Sequence, residues 1–284
     1  MSIYDINGWQ KYTPYNKEGS AVSTAYDYQE NTVFPTLPIP TGTLNAVITR
    51  LLPDIYNNGH GWTCTGLAYD SINDVFLVGD IGKTLPSSPG YASVIRVVNK
   101  SFTSVVYTIN LYTVFTSMQD VQGITLDSNG NIWFCSNGEN LVRQIDPDGN
   151  SMSSFSVSNP TGIAYDPEDD TLWVLTYSAA NNIQKRTKTG TVKEQYTFNY
   201  EDTLDQCFYD PERKYLYITA GENYSSRNNV YLFNTVSHSQ SITCTVDSYS
   251  VEGLSIVGTE LFILNDGYYH SALDNRNVVN IYNV

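Results

Sequence analysis

Apolar residues recur along this chain in pairs of short runs, and a polar turn separates the two runs of each pair. The first runs are Gly66–Asp70, Gly123–Asp127, Gly162–Asp166, Gln206–Asp210 and Gly253–Val257. The second runs are Val75–Val78, Ile132–Phe134, Leu172–Leu175, Tyr215–Ile218 and Leu261–Leu264. Short apolar runs bounded by turn residues are typical of buried strands. Their recurrence predicts a repeated β-sheet unit.

Each copy continues into two further strands. In the second copy the predicted strands are Gly123–Asp127, Asn131–Cys135, Leu141–Ile145 and Ser153–Val157. Asn129-Gly130 forms the tight turn between the first two strands, and Asp146–Asn150 forms the turn between the last two. Successive copies start roughly 40 to 57 residues apart, which is typical of four-stranded propeller blades. We label the strands of a blade a to d from the centre outwards.

The fifth copy ends after three strands, so the blade lacks its outer strand. Leu44–Leu52 has the length and alternation to supply it, and closing the ring in this way removes an exposed sheet edge. The sequence therefore predicts an all-β fold, a five-bladed β-propeller over residues 44–284 that an N-terminal strand closes. Residues 1–43 are predicted to form an extended N-terminal arm and a stiff proline-rich linker.

The arm repeats a Tyr-Asp or Tyr-Asn element with a spacing of 11, at Tyr4, Tyr15 and Tyr26. It contains too few apolar residues to build a core of its own. A disordered tail is one interpretation. We favour an arm of short turns that docks on a partner protein or on a second copy of the chain.

Charge and composition limit the partners. The 284 residues contain 41% hydrophobic residues, enough for a full core, and carry a formal net charge of -14. Phosphate binding needs a basic surface, so nucleic acid is not expected as a partner, and neither is membrane insertion. Met1–Trp9 has no secretory signal pattern. We expect synthesis in the cytoplasm, with buried free thiols at Cys135 and Cys207.

The repeats at Gly123–Trp133 and Gly162–Pro167 resemble those of NHL-type propellers and of the regucalcin/gluconolactonase group. Glu252–Ser255 together with Leu261–Asp266 resembles the SdiA-regulated propellers. The likeness covers about residues 60–284. Gluconolactonase-type enzymes hold a divalent metal with a Glu, an Asn and an Asp, and the resemblance implies metal ligands at Glu252 and Asp266, which stand at two comparable places.

The arm is similar to short N-terminal repeats of phage and prophage proteins that are directed to the host surface. This similarity implies a virion-associated protein, such as a tail-fibre or receptor-binding component, whose arm contacts other virion proteins or a second copy of itself.

In a propeller, the d–a and b–c loops crowd one face around the channel. The d–a side offers Thr65, Gln122, Thr161, Asp205 and Glu252, and the b–c side offers Asp80, Asn137, Tyr177, Glu222 and Asp266. These oxygen-rich side chains make Ca²⁺ a candidate cofactor. The recurring aspartate that ends strand a lies on the opposite face, and we interpret it as a turn cap.

Two histidines are expected near the seam between the last and first blades. His60 precedes the first blade, and His270 lies in a long loop of the fifth blade with Tyr268, Tyr269 and Arg276. A base, an acid and a cation are what uronate β-elimination requires. The same residues are equally suited to stacking on sugars and hydrogen-bonding to them.

Three functions follow. The first is binding of cell-surface polysaccharide by a phage or related particle during host attachment. Its candidate ligand-binding residues are Trp62, Gln122, Tyr177, Asp205, Tyr224, Glu252, Tyr268 and Tyr269. The second is a polysaccharide lyase or hydrolase, for which His60, His270, Tyr268, Tyr269 and Arg276 are the candidate catalytic residues at the seam. The third is a purely structural virion or scaffold protein. Unequal loops favour the first function over a symmetric lectin.

Overall fold

A computed structural model describes residues 3–4, 10–11, 39–52, 64–80, 93–117, 119–177, 182–200, 203–220, 227–266 and 277–284. The chain divides into two units, Met1–Leu37 and Pro38–Val284. In the first unit, β1 (Ile3–Tyr4) and β2 (Gln10–Lys11) pair as antiparallel strands. The docking role of the arm stays a prediction.

The second unit is a five-bladed β-propeller, and the predicted fold class is confirmed. It begins with β3 (Gly42–Leu44) and β4 (Ile48–Leu51). The first blade consists of β5 (Cys64–Asp70), β6 (Val75–Asp80), β7 (Val94–Asn99) and β8 (Val105–Asn110), followed by the short helix α1 (Leu111–Phe115). The second consists of β9 (Val121–Leu126), β10 (Ile132–Ser136), β11 (Leu141–Ile145) and β12 (Ser151–Ser156), with a 3₁₀ turn at Asn137–Glu139.

The remaining blades repeat the antiparallel a–b–c–d order. The third consists of β13 (Pro160–Asp166), β14 (Thr171–Thr176), β15 (Asn182–Thr187) and β16 (Val192–Thr197). The fourth consists of β17 (Leu204–Asp210), β18 (Tyr215–Ala220), β19 (Asn228–Asn234) and β20 (Gln240–Val246). The fifth consists of β21 (Val251–Val257), β22 (Glu260–Asn265), β23 (Val278–Asn283) and the N-terminal strand β4.

The N-terminal strand closes the ring, as predicted. β4 pairs antiparallel with β23, with Ile48 opposite Ile281, and the Thr49 hydroxyl donates to Asn280 Oδ1 at 2.8 Å. The strand is shorter than the predicted span 44–52. In addition, β3 pairs in parallel with β20 as a fifth strand of the fourth blade. The predicted domain boundary between residues 43 and 44 therefore falls inside β3.

The repeated glycine is explained by the close approach of neighbouring a strands. A Cβ on Gly66 would lie 2.3 Å from the carbonyl oxygen of Gln122 in the next blade. A Cβ on Gly253 would lie 2.9 Å from the backbone nitrogen of Leu67, across the junction between the last and first blades. These positions have no room for a side chain, which is why the sequence returns to glycine there.

The recurring aspartate caps the a–b turn, as we interpreted it. Asp127 Oδ1 accepts from the backbone N–H groups of Asn129 and Asn131, and Asp127 Oδ2 accepts from Trp133 Nε1 at 3.1 Å. Asp70, Asp166 and Asp210 accept backbone N–H groups of their own turns in the same way. The aspartates hold the blade frame.

The core lies between neighbouring blades. At the junction of the last and first blades, the rings of Phe76 and Phe262 are 4.8 Å apart, inside a buried apolar cluster. All four cysteines are buried and free, which confirms the expectation for Cys135 and Cys207. Strand d of the first blade ends at Asn110, and Leu111 begins α1, because the Asn110 side chain accepts from Tyr112 N and Thr113 N and caps the helix.

Candidate functional site

The five innermost strands, β5, β9, β13, β17 and β21, surround the channel, and each lies beside the next. We name the two ends of the channel by their chemistry. The acidic end is formed where the a strands begin and contains Asp205, Glu252 and Asp266. The turn end is formed by the a–b turns that follow Asp70, Asp127, Asp166 and Asp210.

Three carboxyl groups of the fourth and fifth blades interact at the acidic end. Asp205 belongs to β17, Glu252 to β21, and Asp266 directly follows β22 and is 1% exposed. Burial raises the pKa of Glu252 well above its ordinary value, and the negative charges of Asp205 and Asp266 raise it further. Glu252 therefore keeps its proton at pH values where an exposed glutamate has lost it.

A carboxylic acid among carboxylates provides mixed hydrogen-bonding chemistry. A protonated Glu252 donates a hydrogen bond, while ionised aspartates only accept. Sugar hydroxyls both donate and accept hydrogen bonds, so these three carboxyl groups can serve a sugar hydroxyl as acceptors and as a donor. The first three blades have Thr65, Gln122 and Thr161 at the same place in strand a, so at this position of the strand only the fourth and fifth blades have a carboxyl group.

Two other predicted binding residues that the structure describes belong to other blades. Gln122, in the second blade, donates from Nε2 to Asp120 Oδ1 at 3.4 Å. Tyr177, after the last residue of β14, is 53% exposed and offers its ring to solvent. The structure therefore brings together Asp205, Glu252 and Asp266, whereas Gln122 and Tyr177 belong to the second and third blades.

Several rim residues join blades instead of facing a ligand. The Thr65 hydroxyl donates to the carbonyl oxygen of Val121, and Asn137 Nδ2 donates to the carbonyl oxygen of Pro160. Asp80 instead forms a buried ion pair at 2.8 Å with Arg96, on the neighbouring strand of its own blade. We assign these polar side chains to the frame.

The predicted seam residues lie outside the described residues; they are His60, Tyr268, Tyr269, His270 and Arg276. Three other predicted residues also lie outside them: Trp62, Glu222 and Tyr224. The lyase hypothesis at the seam therefore stays a prediction. His238, the third histidine, is exposed in the c–d turn of the fourth blade, where its Nε2 lies 2.8 Å from the Tyr196 hydroxyl.

A buried glutamine that is not among the predicted site residues joins three blades at the centre of the ring. Gln206 stands where the other four copies have glycine, and it is 1% exposed. Its Oε1 accepts from Ile163 N at 3.0 Å and Cys207 N at 3.1 Å, and its Nε2 donates to the Ile124 carbonyl oxygen at 3.0 Å. The amide thereby joins the second, third and fourth blades.

The space for this amide comes from glycines of two other blades. A Cβ on Gly123 would lie 2.4 Å from Gln206 Oε1, and a Cβ on Gly162 would lie 3.0 Å from Gln206 Cα. The signal was present in the sequence, because the fourth copy has Gln206 where the other four copies have glycine.

Metal ligands and membrane-spanning helices were also sought among the described residues. No group of three or more His, Cys, Asp or Glu side chains in these parts of the chain is arranged to hold a metal ion. The Ca²⁺ candidate and the metal role of Glu252 and Asp266 stay predictions. Within the same ranges, no helix is long and apolar enough to cross a membrane.

Comparisons with known proteins return structures only. No protein-family model matches the chain, and no curated protein matches it. A crystal structure of RRP9 WD40 repeats is 10% identical with a TM-score of 0.49; the match covers 79% of this chain and 63% of that chain, so the chain spans less than two thirds of its length. A nidogen/laminin complex is 16% identical over 72% of each chain with a TM-score of 0.49. A streptogramin B lyase is 12% identical over 84% of this chain and 73% of that chain, with a TM-score of 0.45.

These similarities are to β-propeller structures and concern the fold alone. At such identities they do not transfer a ligand or an activity. The NHL-type, gluconolactonase-type and phage-repeat resemblances stay predictions. What the chain binds has to be argued from its own residues.

Proposed function

We propose that this protein binds a cell-surface polysaccharide at the acidic end of its channel, as the host-attachment component of a phage or related particle. The observation that carries the proposal is the interacting set Asp205, Glu252 and Asp266 on two adjacent blades. The virion assignment is supported by the resemblance of residues 1–43 to phage surface-protein repeats, and it belongs to the proposal.

The chemistry of the set favours a class of glycan. Polysaccharides that carry carboxylate or sulfate groups would be repelled by Asp205 and Asp266, and a formal net charge of -14 adds to that repulsion. Neutral sugars are not repelled by these carboxylates, and the ammonium group of an amino sugar would be attracted by them. We therefore expect a neutral or amino-sugar polysaccharide.

The asymmetry of the ring favours one site per molecule. A symmetric lectin would repeat its binding residues in every blade, but the equivalents of Asp205 and Glu252 in the first three blades are uncharged. One sugar residue or one chain end then contacts the fourth and fifth blades, and the exposed ring of Tyr177 offers a stacking surface on the third blade.

The test is a glycan array followed by calorimetry with the best polysaccharide. Asp205→Asn removes a charge-assisted hydrogen bond, and we expect the affinity to fall at least about tenfold. Asp148→Asn, in an exposed turn of the second blade, is the matched control and should bind like the wild-type protein. Equal affinity of Asp205→Asn and wild type for the glycan would contradict the proposal.

A polysaccharide hydrolase at the same end is the second candidate, because a carboxylic acid of raised pKa beside ionised carboxylates is the arrangement of glycosidase acid–base pairs. Release of reducing ends from the bound polysaccharide, lost in Glu252→Gln, would support it. For the lyase at the seam, the measurement is absorbance from unsaturated uronates in wild type, His60→Ala and His270→Ala.

A further inference from the structure

The loop that leads into the innermost strand of the fifth blade is attached to the N-terminal segment, residues 42–51. This loop, residues 247–250, connects β20 to β21. Asp247 Oδ1 accepts from the backbone N–H of Ala46 at 2.9 Å. Ala46 lies between β3 and β4, the two strands by which the N-terminal segment pairs with the fourth and fifth blades. The loop and the N-terminal segment are thus joined directly.

A second connection runs through polar side chains inside the fifth blade. The Thr49 hydroxyl of β4 donates to Asn280 Oδ1 at 2.8 Å, and Asn280 Nδ2 donates to Ser248 Oγ at 3.1 Å. The Ser248 hydroxyl in turn donates to Asn265 Oδ1 at 2.5 Å. Ser248 and Asn265 are fully buried, so losing either partner would leave a polar group unsatisfied. The hydrogen bonds form a continuous chain from the outer strand of the blade to the end of β22.

Both connections end beside two carboxyl groups of the acidic end. Asn265 is followed directly by Asp266, whose backbone N–H donates to the carbonyl oxygen of Ser250 at 3.0 Å. Ser250 ends the loop two residues before Glu252. Its φ of +41° lies in the left-handed region, which a serine keeps only when its surroundings hold it there. The loop therefore fixes the backbone of Asp266 and the start of the strand that carries Glu252.

We propose that the N-terminal segment is a positioning element of the polysaccharide site and acts through the loop 247–250 on Glu252 and Asp266. The inference rests on the proposed function, because it concerns the same acidic end. The third carboxyl group of the set, Asp205, belongs to the fourth blade, whose outer strand pairs with β3. Pairing of the N-terminal segment therefore constrains both blades that supply the site.

Asp247→Ala tests the direct connection, because it removes the acceptor for Ala46 N and leaves the three carboxyl groups of the site unchanged. Two quantities are measured on the full chain: hydrogen exchange of the Asp266 backbone N–H by NMR, and affinity by calorimetry for the polysaccharide that binds best on the glycan array. We expect about fivefold faster exchange and about fivefold weaker binding, the size of one lost hydrogen bond. Asp247→Asn keeps an acceptor oxygen without the charge and should bring both values close to those of the wild-type protein.

A control and a second variant accompany this pair. Asp146→Ala removes a side-chain acceptor for Asn150 N at 2.8 Å, in a turn of the second blade, and should change neither the exchange at Asp266 nor the affinity. Thr49→Val removes the hydroxyl that begins the second connection, at an exposed strand position, and decides the question if Asp247→Ala does not fold. Faster exchange and weaker binding in Thr49→Val than in Thr49→Ser would support the proposal, and equal values would overturn it.

Three results with the Asp247 variants would overturn the proposal. The first is unchanged exchange at Asp266 in Asp247→Ala, and the second is faster exchange without weaker binding. The third is an Asp247→Asn variant that behaves like Asp247→Ala, since the charge of Asp247 would then act and not its hydrogen bond. If the wild-type protein binds no glycan, the proposed function fails, while the exchange rates still decide whether the N-terminal segment positions the acidic end.

Discussion

Replacing Gln206 by alanine tests whether its amide holds the centre of the ring together. The side chain is 1% exposed and makes three hydrogen bonds, to Ile163 N, Cys207 N and the Ile124 carbonyl oxygen. Alanine removes all three. Two backbone N–H groups and one carbonyl group then lose their partner at the middle of the channel, at junctions between three blades.

The magnitude follows from these three groups. Each buried polar group left without a partner costs about 1–3 kcal/mol. Release of the glutamine side chain from its fixed conformation returns up to about 2 kcal/mol, and water that enters the vacated space satisfies some of the groups. We expect the free energy of unfolding to fall by about 2–5 kcal/mol.

Gln240 provides a matched control. It also joins two blades, accepting from Asn199 N at 3.0 Å and donating to the Thr197 carbonyl oxygen at 2.8 Å, but it does so at the solvent-exposed periphery. Water can replace the Gln240 amide, so Gln240→Ala should cost at most about 1 kcal/mol.

The assay is urea unfolding of wild type, Gln206→Ala and Gln240→Ala, followed by circular dichroism. With a slope of about 3 kcal/mol per molar urea, the expected loss lowers the midpoint of Gln206→Ala by about 0.7–1.7 M. Equal midpoints for the two variants would refute the reasoning, because burial of the bridge would then have no energetic consequence.

Three further changes follow from the geometry of the ring. Gly66→Ala should lower the melting temperature strongly, because the added Cβ would lie 2.3 Å from the Gln122 carbonyl oxygen. Gly138→Ala should have little effect in the same thermal scan, because the nearest atom to its added Cβ is a side-chain carbon at 3.3 Å. Deleting residues 1–38 should preserve the melting temperature of the propeller, and deleting residues 1–52 should lower it because β3 and β4 are lost; similar values for both deletions would contradict the closure argument. Glu252→Gln should raise the free energy of unfolding at pH 8 and leave it nearly unchanged at pH 4. The pKa of Glu252 is higher in the folded than in the unfolded protein, so the wild-type protein has its full stability below the unfolded-state pKa. It loses part of that stability as the pH rises through the folded-state pKa, whereas the neutral glutamine does not titrate. A pH-independent difference in melting temperature between Glu252→Gln and wild type would show that Glu252 does not titrate as argued.

The blade architecture was readable from the sequence because each blade presents the same constraints. Buried b strands read as continuous apolar runs, turn residues separate them, and close packing of the a strands forces glycine at Gly66, Gly123, Gly162 and Gly253. These constraints act within about 50 residues of chain. The missing outer strand of the fifth blade was also predictable, since an incomplete sheet leaves an unpaired edge.

The remaining features depend on contacts between distant segments. The parallel pairing of β3 with β20 joins residues about 200 positions apart in the sequence. Gly42–Leu44 also lacks the alternation of apolar and polar residues that would indicate a strand. The bridging role of Gln206 depends on where three blades meet. The sequence predicted only that Asp205, Glu252 and Asp266 lie on the same face of the propeller, because a sequence gives no distances across a ring.

The departures from the repeat are concentrated in the last two blades. Asp205 and Gln206 belong to the fourth blade, and Glu252 and Ser255 belong to the fifth. Ser255 is 1% exposed, and among the described residues its hydroxyl has no hydrogen-bond partner. Mutual repulsion of carboxyl groups and a buried unpaired hydroxyl both reduce stability. The N-terminal segment adds one strand to each of these two blades, β3 to the fourth and β4 to the fifth. The backbone hydrogen bonds of the added strands can offset those costs, so the closing segment supports the part of the ring whose side chains depart from the frame, and truncation should affect binding at the acidic end before it unfolds the first three blades.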